Sequence, residues 1–271
     1  MRRFLAACSL ALLVAPATGP FSTLPAAAAQ PAADSPTPEA LFEGHISAIG
    51  GREKLATHKD RTLNGIMTTR RIPDPKAPAP VAEEVPSTQI VTVWAKAPQS
   101  MRFEIIDPAV GNTVRATDGK NTWGIGSAGL PFRIEGKERE DMLDSAVFQG
   151  EAEYKGRYRA LRSEGLEKFE GTQAYRVDFE TVNGGTGAIY FDAKTGLIIG
   201  RVAFGKSTTD SITSILADYK EFEGVLLPTR QVQRTQGVEI SIEFRWIEIN
   251  TGTLPEFVPP ENVSPAQPAG S

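Results

Sequence analysis

The chain is almost without cysteine: Cys8 is the only one in 271 residues, and it lies in an N-terminal leader. A product trimmed after Ala29 would hold no disulfide and no thiolate metal site, so its stability in an oxidising compartment would rest on the core alone. Histidine is almost as scarce, with only His45 and His58. Zinc centres and Ser-His-Asp triads need histidines with partners, whereas His45 falls beside the apolar face of a helix and His58 in a polar turn with Lys59 and Asp60. Both read as structural residues. H-E-x-x-H, G-x-S-x-G and G-x-x-x-x-G-K-[ST] are missing too, which removes the usual support for zinc hydrolases, nucleophile elbows and P-loops. No catalytic residue, metal or cofactor is expected. Positive charge is not in excess: the formal net charge is −4, which offers no general attraction to nucleic acid.

Long apolar runs are also lacking. The leader MRRFLAACSLALLVAPATGPFSTLPAAAAQ has two arginines, an apolar run from Phe4 to Ala15 and small residues ending at Ala29. That order is a secretory signal over residues 1–29, too short to span a bilayer, and no later segment approaches ~20 uninterrupted apolar residues. The expectation is export to the periplasm, with no transmembrane segment after cleavage. LAAC at 5–8 has the look of a lipid-attachment site, but too little apolar sequence precedes it, so Cys8 reads as filler of the signal core. Residues 30–37 form a Pro/Ala/Ser linker and 261–271 a polar tail, both expected to be disordered, and 38–260 form one folded domain.

What is present is alternation. After a helix begun by Thr37-Pro38, with Leu41, Phe42, Ile46 and Ile49 at helical spacing and Gly50-Gly51 as its stop, a shorter helical turn follows over 52–57. From Arg61 the period becomes two. Met101, Phe103 and Ile105; Tyr175, Val177 and Phe179; and Val238, Ile240, Ile242, Phe244 and Trp246 place apolar side chains on one face of half-buried antiparallel strands. Further strands are expected at 61–72, 88–97, 112–117, 121–126, 157–163, 186–192, 197–204, 211–220 and 225–234, with Asp118-Gly119, Asn183-Gly184-Gly185, Glu223-Gly224 and Gln236-Gly237 as turns. One inserted helix is expected at 137–148, and the five prolines of 73–86 demand an exposed loop. The fold class is α+β, mostly antiparallel β.

Gly124, Gly126 and Gly129 match G-x-G-x-x-G. A dinucleotide turn needs a parallel strand before the glycines and a helix opening on the third. Here the strand before them is one arm of a hairpin and Leu-Pro-Phe-Arg-Ile follows, so the glycines read as a strand end and its loop. Carboxylates such as Glu138, Glu140, Asp141, Glu239 and Glu243 are spread along exposed faces and indicate no acid/base pair.

The run KAPQSMRFEIIDPAVGNTVRATDGKNTWGIG at 96–126 resembles the core of the LolA/LolB-like family of periplasmic lipoprotein-localisation factors. The resemblance rests on Pro98, Arg102-Phe103, Glu104, Pro108, Asp118-Gly119 and Trp123, with the aromatic and arginine in reversed order. HISAIGGREKL and ADYKEFEGVLLPTRQ look like the broader lipoprotein-sorting group. It implies an unclosed half-barrel of about eleven strands, with an N-terminal and an inserted helix on its concave face and an apolar cavity for acyl chains. The implied function is a non-enzymatic carrier or chaperone of lipid or acylated protein. The alternatives are an envelope sensor or scaffold that binds a protein partner, and a hydrolase with unrecognised carboxylates. The plug would be Leu41, Phe42, Ile46 and Ile49, and the three apolar strand sets above would form the lining. The resemblance also gives Arg102 a lid-holding role, which fails if Met101 and Phe103 face the cavity, because Arg102 then points out.

Overall fold

The computed structural model describes residues 35–72, 86–205, 211–235 and 237–263. The expected signal peptide, linker residues 30–34, most of the proline-rich loop and tail residues 264–271 lie outside the described residues.

Helix α1 (Pro38–Ala48) starts as its sequence dictates: the Thr37 hydroxyl accepts from the Ala40 amide at 3.2 Å, Pro38 opens the first turn and Glu39 faces the positive end of the dipole. Gly50 ends it at φ 122°, where a side chain would also overlap the Gly224 carbonyl. Helix α2 (Gly51–Thr57) follows. Six strands come next: β1 (Asp60–Arg71), β2 (Ser87–Lys96), β3 (Ser100–Asp107), β4 (Gly111–Thr117), β5 (Thr122–Ile125) and β6 (Pro131–Arg133). Helices α3 (Gly136–Ser145) and α4 (Tyr154–Arg157) lead to β7 (Tyr158–Phe169), β8 (Thr172–Thr181), β9 (Thr186–Asp192), β10 (Ile198–Ala203), β11 (Ile212–Phe222), β12 (Val225–Thr235) and β13 (Val238–Ile249).

All thirteen strands form one antiparallel sheet, ordered β6-β5-β4-β3-β2-β1-β13-β12-β11-β10-β9-β8-β7. The chain enters at the middle, meanders out to β6, crosses through α3 and α4 to the far edge at β7, and meanders back until β13 pairs with β1. Because β6 and β7 do not pair, the half-barrel is unclosed. Thirteen strands replace the expected eleven or so; the strand that periodicity cannot reveal is β6, three residues long and begun by Pro131.

Register assigns the two faces. The inner face carries Leu41, Phe42, Ile46, Ile49 and Leu55 from α1 and α2, packed with Tyr154 of α4 and with Val177, Phe179, Ile189, Phe191, Ile198, Val225, Leu227 and Ile249 from the strands. On the outer face Phe169 stacks on Tyr190 at 4.1 Å beside Ala174 and Ala188. A second outer cluster, Val114, Ala116 and Trp123, is met by Phe257 and Val263 after the last strand.

The glycine fingerprint sits in an antiparallel hairpin. β5 pairs with both β4 and β6, and Gly126 and Leu130 close its loop with an amide-to-carbonyl bond of 3.0 Å. Gly124 is small because a Cβ there would run into Phe132 and Arg115, whose guanidinium lies 4.8 Å from the Phe132 ring centre. This glycine makes room for a cation–π contact, not for a phosphate.

Helix α3 buries Asp141 next to Met142. Burial pushes the Asp141 carboxyl up to about 6 against the pull of the Lys137 ammonium, which lies at 2.5 Å. The native state thus holds this proton at pH values where the unfolded chain, near 3.8, has lost it. The resulting contribution is present below pH ~4 and is lost as pH rises towards ~6. Asp141→Asn is expected to flatten that fall, with stability at pH 7 relative to pH 4 improved by about 1–3 kcal/mol over the parent. Urea midpoints at the two pH values check this, and equal pH slopes in the two proteins would count against it.

Candidate ligand chamber on the inner face

Half of the inner face is built from strands alone. Leu63 and Met67 of β1, Val91 of β2, Ile105 of β3, and Ile242 and Phe244 of β13 form one apolar cluster that contains no helical residue. Val93, Phe103, Ile240 and Ile247 pack on it while remaining partly exposed. The registers Val91↔Ile105, Val93↔Phe103 and Leu63↔Ile247 put these side chains on one surface. Apolar surface thus stays accessible beside the helix-packed core.

Most of the residues expected to line or plug a cavity are brought to this face. Leu41, Phe42, Ile46, Ile49, Val177 and Phe179 are buried together, with Tyr175 packed against them. Ile105, Ile242, Phe103 and Ile240 belong to the strand-only cluster, as does Phe244. Met101 shares their side of β3, between Ala95 and Thr117. Val238 is half-buried at the start of β13, opposite Arg71 and Thr235.

Two residues are not. Asn64 of β1 pairs with Trp246 while the next residue, Gly65, pairs with Phe244, so Arg245 is an extra residue in β13. A bulge of this kind reverses the parity of the strand. Trp246 is consequently turned outward and is 67% exposed, whereas Ile247 and Ile249 take over the inner face. Arg102 faces out as well: it lies opposite Trp94 and Ala116, with its guanidinium 5.9 Å from a Trp94 ring centre and 3.4 Å from Glu104. Alternation with Phe103 keeps it away from the chamber, so the lid role does not carry over.

The polar side of the chamber was not visible in the residue pattern. Arg61 is at an inner position of β1, level with Ala95 and Ile249, and its guanidinium lies 4.9 Å from the Phe148 ring centre. Arg201 is at an inner position of β10 beside Ile189; it donates to the Tyr158 hydroxyl at 2.7 Å and lies 5.4 Å from the Phe179 ring centre. The crossing segment between α3 and α4 carries Glu151. Burial works to raise the Glu151 pKa, but Arg157, Arg201 and His45 outweigh it and hold the carboxyl below its ordinary value. Burial lowers Arg61, and Glu151 offsets part of that. Both side chains are half-buried. An arginine in step with Leu63 and Met67 was the available signal for Arg61.

His45 proves structural. Its Nδ1 accepts from the Ile198 amide at 3.1 Å, and burial lowers its pKa so that the ring is neutral at pH 7. It thereby satisfies a buried backbone donor at the start of β10. His58 is buried at the end of α2, and its pKa too is lowered chiefly by burial.

The sheet also parts beside this chamber. β12 and β13 pair only from Arg230↔Glu243 to Thr235↔Val238, and the earlier end of β12 turns to α1, with the Leu226 amide donating to the Ile49 carbonyl at 2.9 Å. A hollow of about 650 Å³ lies at the parting, lined by Asp218, Tyr219, Thr229, Phe244 and Arg245 among others. Burial and Glu151 both raise the pKa of the Tyr219 phenol, which donates to the Ile198 carbonyl at 2.6 Å. Among the described residues no group of three His, Cys, Asp or Glu could hold a metal ion, and no helix is long and apolar enough to cross a membrane.

No family model matches the chain, and no curated protein matches it in sequence. Solved structures do match in fold. A DUF1329 family protein from Desulfovibrio piger superposes with a TM-score of 0.57 at 12% identity, over 80% of this chain and 94% of its own. A LolA superfamily protein from Nitrosomonas europaea gives 0.56 at 13% identity, over 82% and 96%. A putative outer membrane lipoprotein-sorting protein domain from Vibrio parahaemolyticus gives 0.53 at 14% identity, over 79% and 95%. With its thirteen-stranded open sheet and helices on the inner face, the chain has the unclosed half-barrel fold of these LolA-like and lipoprotein-sorting structures.

Proposed function

We propose that the protein is an exported, non-enzymatic carrier or chaperone of the periplasm that holds the acyl chain of a lipid or acylated protein on its inner face. The observation that carries this reading is the strand-only cluster of Leu63, Met67, Val91, Ile105, Ile242 and Phe244, which continues the apolar inner face beyond the residues that the helices cover. An alkyl chain laid on Val93, Phe103 and Ile240 would remove their remaining apolar surface from water, worth ~25 cal/mol per Å². The likeness in fold to a LolA superfamily protein and to a lipoprotein-sorting domain agrees with that use.

Protein purified natively from an envelope fraction and extracted with organic solvent is expected to release phospholipid, fatty acid or lipopeptide in stoichiometric amount by mass spectrometry. A clean, stable, empty protein would overturn the reading. Phe103→Glu, which puts a charge on the partly exposed wall without emptying the buried core, is expected to reduce the retained lipid at least about tenfold, because tenfold needs only ~1.4 kcal/mol. Unchanged lipid content in a folded variant would place the ligand elsewhere.

A further inference from the structure

The sheet is split within its own width. β13 stays paired with β1 as far as Arg61↔Ile249, and β12 stays paired with β11 as far as Phe222↔Val225, yet β12 and β13 pair with each other only from Arg230↔Glu243 to Thr235↔Val238. Residues 225–229 of β12 and 244–249 of β13 are therefore left without a ladder between them. Both strands build this in: β13 carries the extra residue Arg245 where the pairing stops, and Pro228 of β12 has no amide hydrogen to offer. Gly65 admits the bulge, because a Cβ there would overlap the Glu243 carbonyl. The hollow of about 650 Å³ lies at this split, and its lining comes from both faces of the sheet. Phe244 belongs to the strand-only inner cluster and Tyr219 packs on the helix-covered core, whereas Lys220, Glu243 and Arg245 are exposed. Successive strand residues point to opposite faces, so a hollow bounded by Tyr219 with Lys220, and by Glu243 with Phe244, reaches from the outer surface towards the inner one.

We infer that this split is the entrance by which an alkyl chain passes between β12 and β13 to the inner face. The inference rests on the carrier reading and gives its cargo a route. Elsewhere in the sheet the chain would have to force apart paired strands, which stand ~4.8 Å apart and are joined by main-chain hydrogen bonds. The edges β6 and β7 do not pair, but the segment that joins them is tied down on the inner side: Tyr154 lies in the core, and the Gln149 side-chain amide donates to the Leu55 carbonyl at 2.5 Å. At the split no ladder has to open. Its rim is charged, with Lys220, Glu243 and Arg245 in water and Asp218 held by Arg230 at 2.9 Å, so the mouth stays wetted, where two apolar edges would close on each other. Phe244 is the inner side chain behind that rim, and Ile242 and Val91 of the same cluster continue the apolar path.

The only cysteine of the chain is Cys8, so Arg245→Cys or Lys220→Cys in a Cys8→Ser background places a single thiol at the rim. Protein stripped of lipid is mixed with parinaric acid, a fluorescent fatty acid, before and after the thiol is capped with a polyethylene glycol maleimide. Uptake and release are followed by stopped-flow fluorescence. Capping is expected to slow both by the same factor, at least about tenfold, because a blocked passage raises the barrier in either direction, and to leave the dissociation constant within about twofold. A thiomethyl cap at the same positions, which removes the charge but adds little bulk, is expected to slow them less than about threefold. The polymer cap on Lys168→Cys of β7, exposed at the far edge of the sheet, is expected to change neither rate. Weaker affinity with faster release would make the hollow a binding subsite and overturn the entrance. Unchanged rates at both rim positions would overturn it too, with the carrier reading intact. Failure of the uncapped protein to bind the fatty acid would remove both readings.

Discussion

Phe42→Ala is expected to lower the free energy of unfolding by about 3–5 kcal/mol, the range for emptying an aromatic site in a packed core. Phe42 is fully buried, stacks on Tyr154 at 4.4 Å and meets Phe191 edge-on at 5.1 Å. It is thus the side chain through which α1 joins both the crossing segment, by way of α4, and the sheet, by way of β9. An open sheet has no closing strand pair to hold its inner face in place, so apolar contacts of this sort do that work. For a domain of this size the change corresponds to a fall in Tm on the order of 10 °C by thermal unfolding. Phe42→Leu, which keeps most of the volume, is expected to lose less than half as much. A loss under about 1 kcal/mol for the alanine variant would show that the helix lies on the sheet without closing its core.

Much of this arrangement was legible in the residues, and particular positions show where legibility stops. Alternation identified the inner sides of β3 and β8, and of β13 as far as Phe244, because period two is a direct consequence of pleating. It failed at Trp246, since one inserted residue, Arg245, reverses every later side chain and leaves no mark in composition. β6 was missed because three residues cannot show a period. Thr37-Pro38 and Gly50 set the bounds of α1 through local chemistry that needs no tertiary contact. The polar wall was out of reach for the opposite reason. Arg61, Glu151 and Arg201 come from a central strand, the crossing segment and the far half of the sheet, so no local residue pattern links them. Arg102 shows the two kinds of reasoning disagreeing: resemblance gave it a role inside, alternation put it outside, and the register follows alternation.

Arg157→Met is expected to cost about 2–3 kcal/mol. The side chain of Arg157 is only 9% exposed and grips Asp144 through two bonds, Nε to Oδ1 at 3.1 Å and Nη2 to Oδ2 at 2.7 Å. Gly150 has no side chain there, and any Cβ would collide with the guanidinium. Removing one member of a buried pair costs ~3–5 kcal/mol when the other is stranded; Asp144 is 34% exposed and can take up water, which brings the figure down. The pair matters because the segment from α3 to β7 carries the chain from one edge of the sheet to the other without strand pairing of its own. Individual hydrogen bonds and ion pairs must therefore set its course: Arg157 to Asp144, the Gln149 side-chain amide to the Leu55 carbonyl at 2.5 Å, and the Phe148 backbone amide to the Pro98 carbonyl at 2.9 Å. Asp144→Asn combined with Arg157→Met is expected to cost little more than Arg157→Met alone, since the cation has already gone. Additive losses would mean that each residue acts through other contacts. Arg157 is also the cation that does most to hold the Glu151 carboxyl below its ordinary range. The methionine variant is thus expected to titrate Glu151 at a higher pH by NMR, and to lose less of its stability on acidification than its parent, because a depressed carboxylate stabilises the fold above its unfolded pKa and that contribution, lost as pH falls through the folded pKa, shrinks once the cation is gone. That second readout separates loss of the charge from loss of packing, because Met keeps most of the aliphatic contact and none of the field.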